Sequence, residues 1–397
     1  MRSIGRDPLF IERGEGPYLW DVDGNRYVDW VSSWGPLILG HADPGVVEAV
    51  SAAAARGTTY GAPTEGEVRL AEEVVGRMAS VEMIRMTSSG TEATMSALRL
   101  ARAATGRTTV VKFAGAYHGH VDGLLAEAGS GLATAGVPAS PGVTEAQASD
   151  TVIVPWNDEE ASADAIMTRR PAAVIAEPIP ANMGVVPPAP GFLEHLRDAT
   201  AEADSVLILD EVISGFRVAP GGAQELLGID ADLTVMGKVI GGGLPAAAYG
   251  GRRDLMELVA PAGDVYQAGT LSGNPVAVAA GLATLERLDT GAYARLAATT
   301  AELAQGLRDA AGDGPVQIAS VPGLLTVFFS GDPVNDFAGA SACDTEAYAR
   351  FCRALLERGV YAPPSQFEAW FPSLAHDGDS IALTLEAAAA AFGEALA

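Results

Sequence analysis

Two apolar runs each deliver one charged residue at their carboxyl end. Val206-Leu207-Ile208-Leu209 stops on Asp210, and Leu233-Thr234-Val235-Met236 runs through Gly237 to Lys238 and then into Gly241-Gly242-Gly243. Runs of this length and composition predict buried strands. Ligands of open α/β sheets bind outside the carboxyl ends of the strands, so both charges are expected at one site. A lysine in a dry pocket loses its proton more easily and becomes a free amine able to form a Schiff base. A carboxylate opposite it can hold a protonated pyridine nitrogen. Pyridoxal phosphate requires that combination, with the ring as electron sink, the lysine as anchor and proton carrier, and an acid on the ring nitrogen. A lysine ahead of three glycines is by itself more often a surface residue, so the reading depends on what else the chain places nearby.

Three further stretches could serve such a cofactor. In Met86-Thr87-Ser88-Ser89-Gly90-Thr91-Glu92-Ala93-Thr94 a strand ends in small residues and a helix follows until Gly106. Its first turn offers free N–H groups and a positive dipole end to a phosphate, with hydroxyls at Ser89 and Thr91, although a plain Ser/Thr helix cap has the same look. After Val110-Val111-Lys112-Phe113 comes Gly115-Ala116-Tyr117-His118-Gly119-His120, where an aromatic can stack on a ring. His118 and His120 have no cysteine or carboxylate cluster beside them, so no metal is expected. Ala173-Val174-Ile175-Ala176 ends on Glu177, and the turn Ile179–Gly184 carries Asn182.

Asp210-Glu211-Val212, Gly215-Phe216-Arg217 and Gly237-Lys238, together with Ser89-Gly90-Thr91-Glu92-Ala93, resemble the signature of the class III aminotransferase family of fold-type I pyridoxal phosphate enzymes. The resemblance is closer still to the aminomutases of glutamate 1-semialdehyde. It spans nearly the whole chain, and Ser365-Gln366-Phe367-Glu368-Ala369 with Ser373-Leu374-Ala375-His376 matches their carboxy-terminal motif. It implies Lys238 as the catalytic amine; Ser89, Gly90 and Thr91 as the phosphate cup; Tyr117 stacked on the ring; Asn182 near the phenolic oxygen; Asp210 on the ring nitrogen; and Val212 under the ring. From the residues alone, Val212 and Trp34 also read as ordinary core and Glu368 as a solvated loop carboxylate. The resemblance places Trp34 and Glu368 at a substrate pocket with Ser130. It also implies that Thr270, in Tyr266–Pro275, reaches the phosphate of another subunit, hence a homodimer with shared active sites. The cofactor would alternate between pyridoxal 5'-phosphate and pyridoxamine 5'-phosphate. The implied reaction converts glutamate 1-semialdehyde to 5-aminolevulinate through a diamine, for tetrapyrrole synthesis. Two alternatives stay open: a related aminotransferase or aminomutase of secondary metabolism acting on another amino compound, and a non-catalytic binding protein on the same fold. Intact Lys238, Asp210 and Tyr117 argue against the second.

The elements that must position these residues read as α/β, a mostly parallel central sheet in a large domain with a smaller α+β lobe. The expected division is 1–38, a segment with a β-hairpin around Asp23-Gly24; 39–290, the cofactor-binding domain; and 291–397, the small lobe joined by the amino-terminal segment. At 397 residues, with 48% hydrophobic and 19% charged, the chain can bury a sizeable core. A net charge of −25 repels nucleic acid and anionic membranes and otherwise reads as solubility, while the small amino compound expected as ligand is what the resemblance implies. The start shows no apolar leader and no run reaches a membrane span, while Cys343 and Cys352 read as unpaired thiols, so a cytoplasmic setting is expected. Residues 128–143, rich in Gly, Ser and Pro, read as a gating loop or a solvated linker. Ahead of Pro8 the chain departs from the aminomutases, which carry there a segment whose arginine helps hold the substrate carboxylate. Either the start is truncated, or the site holds its substrate differently; if the chain is complete, anchoring is expected from another cation or from neutral donors around Ser33, Trp34 and Ser130.

Overall fold

The computed structural model describes residues 1–127, 134–135 and 137–397. Its centre is an eight-stranded sheet with strands in the order Met83–Thr87, Ala247–Gly251, Leu233–Met236, Val206–Glu211, Ala173–Ala176, Val110–Phe113, Thr151–Val154 and Thr134–Ala135. The five strands from Leu233–Met236 to Thr151–Val154 pair in parallel, and Met83–Thr87 points the same way across the antiparallel Ala247–Gly251. Thr134–Ala135 adds a short antiparallel edge.

The runs are continuously apolar because both faces of the sheet are covered. With a period of two, Ile175, Val206, Ile208 and Val235 pack under the helix Gly90–Thr105, whereas Val174, Leu207 and Leu209 meet Ile166, Phe192 and Leu196 of two helices on the other face. Each such side chain contributes about 2 kcal/mol by leaving water. The parallel direction brings Ser88, Ala114, Glu177, Val212 and Gly237, the residues following five strands, to one edge of the sheet.

The smaller lobe takes its strands from both ends of the chain. The hairpin Tyr18–Asp21 with Arg26–Asp29 forms as the Asp-Gly signal predicts, and Arg26–Asp29 also pairs in parallel with Val360–Tyr361. Trp30, fully buried, packs with Trp370 and stacks on His376 at a centroid distance of 3.9 Å. The His376 Nδ1 accepts from the Ser373 amide at 3.0 Å, and its Nε2 donates to the Asp29 carbonyl at 3.1 Å.

Burial pushes the His376 imidazole down to about 4, although Asp29 pulls the other way. The folded value lies below the unfolded value of 6.5, so as pH falls the unfolded chain takes the proton first. The stability from the neutral ring is therefore complete above pH 6.5 and is lost between there and about pH 4, roughly 3 kcal/mol in all. Thermal melts at pH 7 and 4.5 should show a smaller acid-induced drop for His376→Phe than for the parent. Equal drops would assign the acid sensitivity to other groups.

Candidate active site

A cavity of about 410 Å³ opens at that edge of the sheet, lined by residues from Ser88–Thr91, Tyr117–Gly119, Glu177, Asn182, Asp210, Val212, Lys238 and Gly243–Ala246. Each wall has a local cause. Ser89 caps the helix Gly90–Thr105: its hydroxyl accepts from the Glu92 amide at 3.2 Å, and the Glu92 carboxylate accepts from the Ser88 and Ser89 amides at 2.7 and 3.1 Å. This capping box leaves the Gly90 and Thr91 amides without a partner among the described residues. They are the donors with which a helix start holds a phosphate. The Thr91 hydroxyl is occupied by His120, at 3.1 Å from its Nδ1, so Thr91 offers chiefly its amide.

Gly119 makes that approach possible. A Cβ there would lie 2.5 Å from the Thr91 Oγ1 and 2.7 Å from its Cα, and the residue sits at φ +84°. Gly119→Ala is therefore expected to cost about 2–3 kcal/mol of stability and to weaken phosphate-dependent ligand affinity at least tenfold. An alanine variant with the parent's melting point and affinity would show that the two segments can separate freely.

Asp210 and Lys238 face the same cavity. The Asp210 Oδ2 lies 2.7 Å from the His118 Nδ1, both side chains being buried, and its Oδ1 accepts from the Val212 amide at 3.0 Å. Among the described residues, neither the buried His118 Nε2 nor the buried Oγ1 of Thr94, another lining residue, has a partner. Lys238 sits at φ +49°, in the left-handed region that residues other than glycine occupy at a cost of about 1–2 kcal/mol. Burial lowers its pKa from the ordinary lysine range, against the pull of Asp210, Glu177 and Glu368 and with the help of Arg217. Val212 is wedged between Gly90 and Gly237, where added Cβ atoms would meet its methyls at 3.2 Å in each case.

Glu177 organises the wall that carries Tyr117 and Asn182. Its Oε1 accepts from the Tyr117 amide at 3.0 Å, and its Oε2 accepts from the Ala181 amide at 3.1 Å and the Asn182 side chain at 2.9 Å. Burial raises its carboxyl above the usual range, opposed chiefly by His118. One carboxylate thus fixes both Tyr117, half exposed over the cavity, and Asn182. Glu177 was visible in the sequence as a strand-ending acid, but its role depends on a turn that folds back on it. His118 was visible as a loop histidine, and its partner lies 92 residues away.

Of the other expected residues, Trp34 is 38% exposed and sits at φ +66° in a turn whose preceding residues Ser32 and Ser33 are also left-handed. The same turn lays Gly35 against the Lys238 side chain, and Pro36 lines the cavity. Glu368 is half-buried; burial raises its carboxyl and the Lys238 charge draws it back down. Thr270 is exposed and does not line this cavity. Ser130 lies outside the described residues, as does much of the expected gating loop.

The family profile described as Aminotransferase class-III matches residues 2–390. Among curated relatives, glutamate-1-semialdehyde 2,1-aminomutase of Syntrophobacter fumaroxidans is 56% identical over 397 residues, covering 98% of this chain and 92% of the relative. The protein of the same name from Desulforudis audaxviator is 57% identical, covering 99% and 92%. Among solved structures, an omega-transaminase from Sphaerobacter thermophilus superposes with a TM-score of 0.94 at 34% identity, covering 100% of this chain and 93% of that one. A glutamate-1-semialdehyde-aminomutase from Pseudomonas aeruginosa PAO1 in complex with PMP superposes with a TM-score of 0.90 at 29% identity, covering 99% and 89%. With the profile spanning almost its entire length over an α/β fold shared with these enzymes, the chain belongs to the class III aminotransferase family.

Proposed function

We propose that this protein is a pyridoxal phosphate-dependent aminomutase that converts glutamate 1-semialdehyde to 5-aminolevulinate, acting as a cytoplasmic homodimer. The observation that carries the reading is the pairing of a desolvated lysine, Lys238, with the buried Asp210 across one cavity, in a chain more than half identical to proteins named for that reaction.

The groups present fit the cofactor. Its phosphate would be held by the Gly90 and Thr91 amides, its ring between Val212 and Tyr117, its ring nitrogen by Asp210, and its phenolic side near Asn182. The unpartnered polar atoms of His118 and Thr94 lie buried at this cavity, as expected of a site completed by a ligand. When bound, pyridoxal phosphate supplies an electron sink for the carbanion left when a proton is removed beside the amine. The protein does the rest. Lys238, whose pKa burial lowers, would carry a proton between the cofactor's C4′ and the substrate carbon, in one direction as the amine is given and in the other as it is recovered from the neighbouring position. Asp210, oriented by His118 and the Val212 amide, would hold the proton on the ring nitrogen. Glu177 keeps Tyr117 and Asn182 in place, and Glu368 is close enough to feel the Lys238 charge.

The dimer rests on Thr270. Its hydroxyl is exposed, and the surrounding surface, with Tyr266, Leu271, Tyr60 and Val68 exposed, suits a partner copy. Mixing Lys238→Ala chains with Thr270→Ala chains should give hybrids in which one site carries both lesions and the other neither, so activity returns. No recovery despite proven subunit exchange would remove the shared site.

An aminotransferase acting on another amine is the second reading, favoured by the close superposition on an omega-transaminase. The two differ in stoichiometry. Protein loaded with pyridoxamine phosphate should turn glutamate 1-semialdehyde into 5-aminolevulinate over many cycles without a 2-oxo acid. Turnover that starts only on adding a 2-oxo acid would establish the aminotransferase instead.

A further inference from the structure

Arg217 is fully buried and lines no part of the cavity, yet its guanidinium joins three segments. It donates to the carbonyl of Gly35, to that of Gly323 at 3.2 Å and to that of Pro372 at 2.9 Å, and it lies over the Phe371 ring, 5.3 Å from the centroid. Among the described residues it has no ion pair, and its Nε has no partner. A guanidinium taken out of water without a counter-ion is costly, so it is a poor device for stability alone.

Its Gly35 contact closes the turn in which Ser32, Ser33 and Trp34 follow one another at φ +45°, +56° and +66°. Only the start of that turn is held by a carboxylate: the Asp29 Oδ1 accepts from the Val31 and Ser32 amides at 2.9 and 3.1 Å. The Ser32 hydroxyl donates to the Phe371 carbonyl at 3.0 Å. The far end is carried by Arg217. There Gly35 lies so close to Lys238 that a Cβ would be 3.3 Å from the lysine Cδ and 2.9 Å from Phe371.

We propose that Arg217 is a positioning residue for the reaction: by gripping the Gly35 carbonyl it holds the left-handed Ser32–Gly35 turn against Lys238 and keeps Pro36 in the cavity wall. The grip also brings an uncompensated positive charge near the lysine. Lys238 faces the carboxylates Asp210, Glu177 and Glu368, all of which favour its charged form, and Arg217 is the cation that opposes them. Burial pushes Arg217 itself down to about 9, with Tyr293 opposing, so it stays charged at neutral pH. The inference rests on Lys238 being the reacting amine.

Its test uses the full chain freed of cofactor, with isotopic reductive methylation of Lys238 followed across pH by mass spectrometry. In Arg217→Met the pH midpoint for Lys238 is expected to rise by about one unit while that of Lys112 stays put. In Arg217→Lys the charge remains and the midpoint stays near the parent's. The planar fork is lost, however, so KM for glutamate 1-semialdehyde should rise about tenfold at similar melting temperature. Adding Ser33→Gly, which accepts a positive φ without strain, should restore much of that KM. A folded Arg217→Met with the parent's midpoint would overturn the proposal. So would an Arg217→Lys variant with unchanged KM, or one that Ser33→Gly does not relieve; these two outcomes decide the matter if the methionine variant fails to fold. A parent protein that never turns over glutamate 1-semialdehyde, with the midpoint shift intact, would sink the substrate assignment and leave this inference standing.

Discussion

Lys238→Ala is expected to lower turnover on the order of 10⁴-fold or more, the largest effect of any single substitution in this chain, because one amine both anchors the cofactor and carries the proton. The check does not depend on activity alone. Borohydride treatment of the parent with pyridoxal phosphate should fix the cofactor's mass on the peptide containing Lys238, and the alanine variant should take up none. The informative competitor is Lys112, the other buried lysine whose pKa falls, in its case to about 8. Its ammonium is spoken for by the Leu124 carbonyl at 3.0 Å, and it does not line the cavity. Label on Lys112, with Lys238 unmodified, would overturn the assignment.

Asp210→Asn should cost roughly 10²–10³ in kcat, the range seen when a preorganised charge partner is removed from a dry site. The shape of the side chain survives, so the loss would come from charge. An amide cannot hold the proton on the ring nitrogen, and it leaves His118, 2.7 Å from the Asp210 Oδ2, facing a neutral partner. Melting temperature should change far less than kcat, since the Val212 amide can still donate to the asparagine oxygen. His118→Asn should fall between parent and Asp210→Asn, as expected of a residue acting through the aspartate. Near-normal turnover of Asp210→Asn would remove Asp210 from the proposed chemistry, and a variant that melts as much lower as it is slower would make its role structural.

Where the physics is local, the sequence sufficed. Apolar runs of four residues leading into Asp210, Glu177 and Gly237 read as buried strands because covering both faces of a sheet demands continuous hydrophobicity. Ser89 with Thr91 marked a helix start because a cap acts within one turn. From such signals came the edge of the sheet at which Lys238, Asp210 and the Gly90 helix meet. Ala247–Gly251 escaped, since Ala-Ala-Tyr-Gly-Gly has little strand preference and is a strand only because it fills the slot between Met83–Thr87 and Leu233–Met236. The tertiary structure alone decided that His118 turns to Asp210, that Glu177 reaches back to Tyr117 and Asn182, and that Arg217 grips Gly35 across 182 residues. Each is a polar group satisfied by a partner far along the chain. No periodicity or propensity encodes such a partner, because it is selected when burial leaves the group nowhere else to bond.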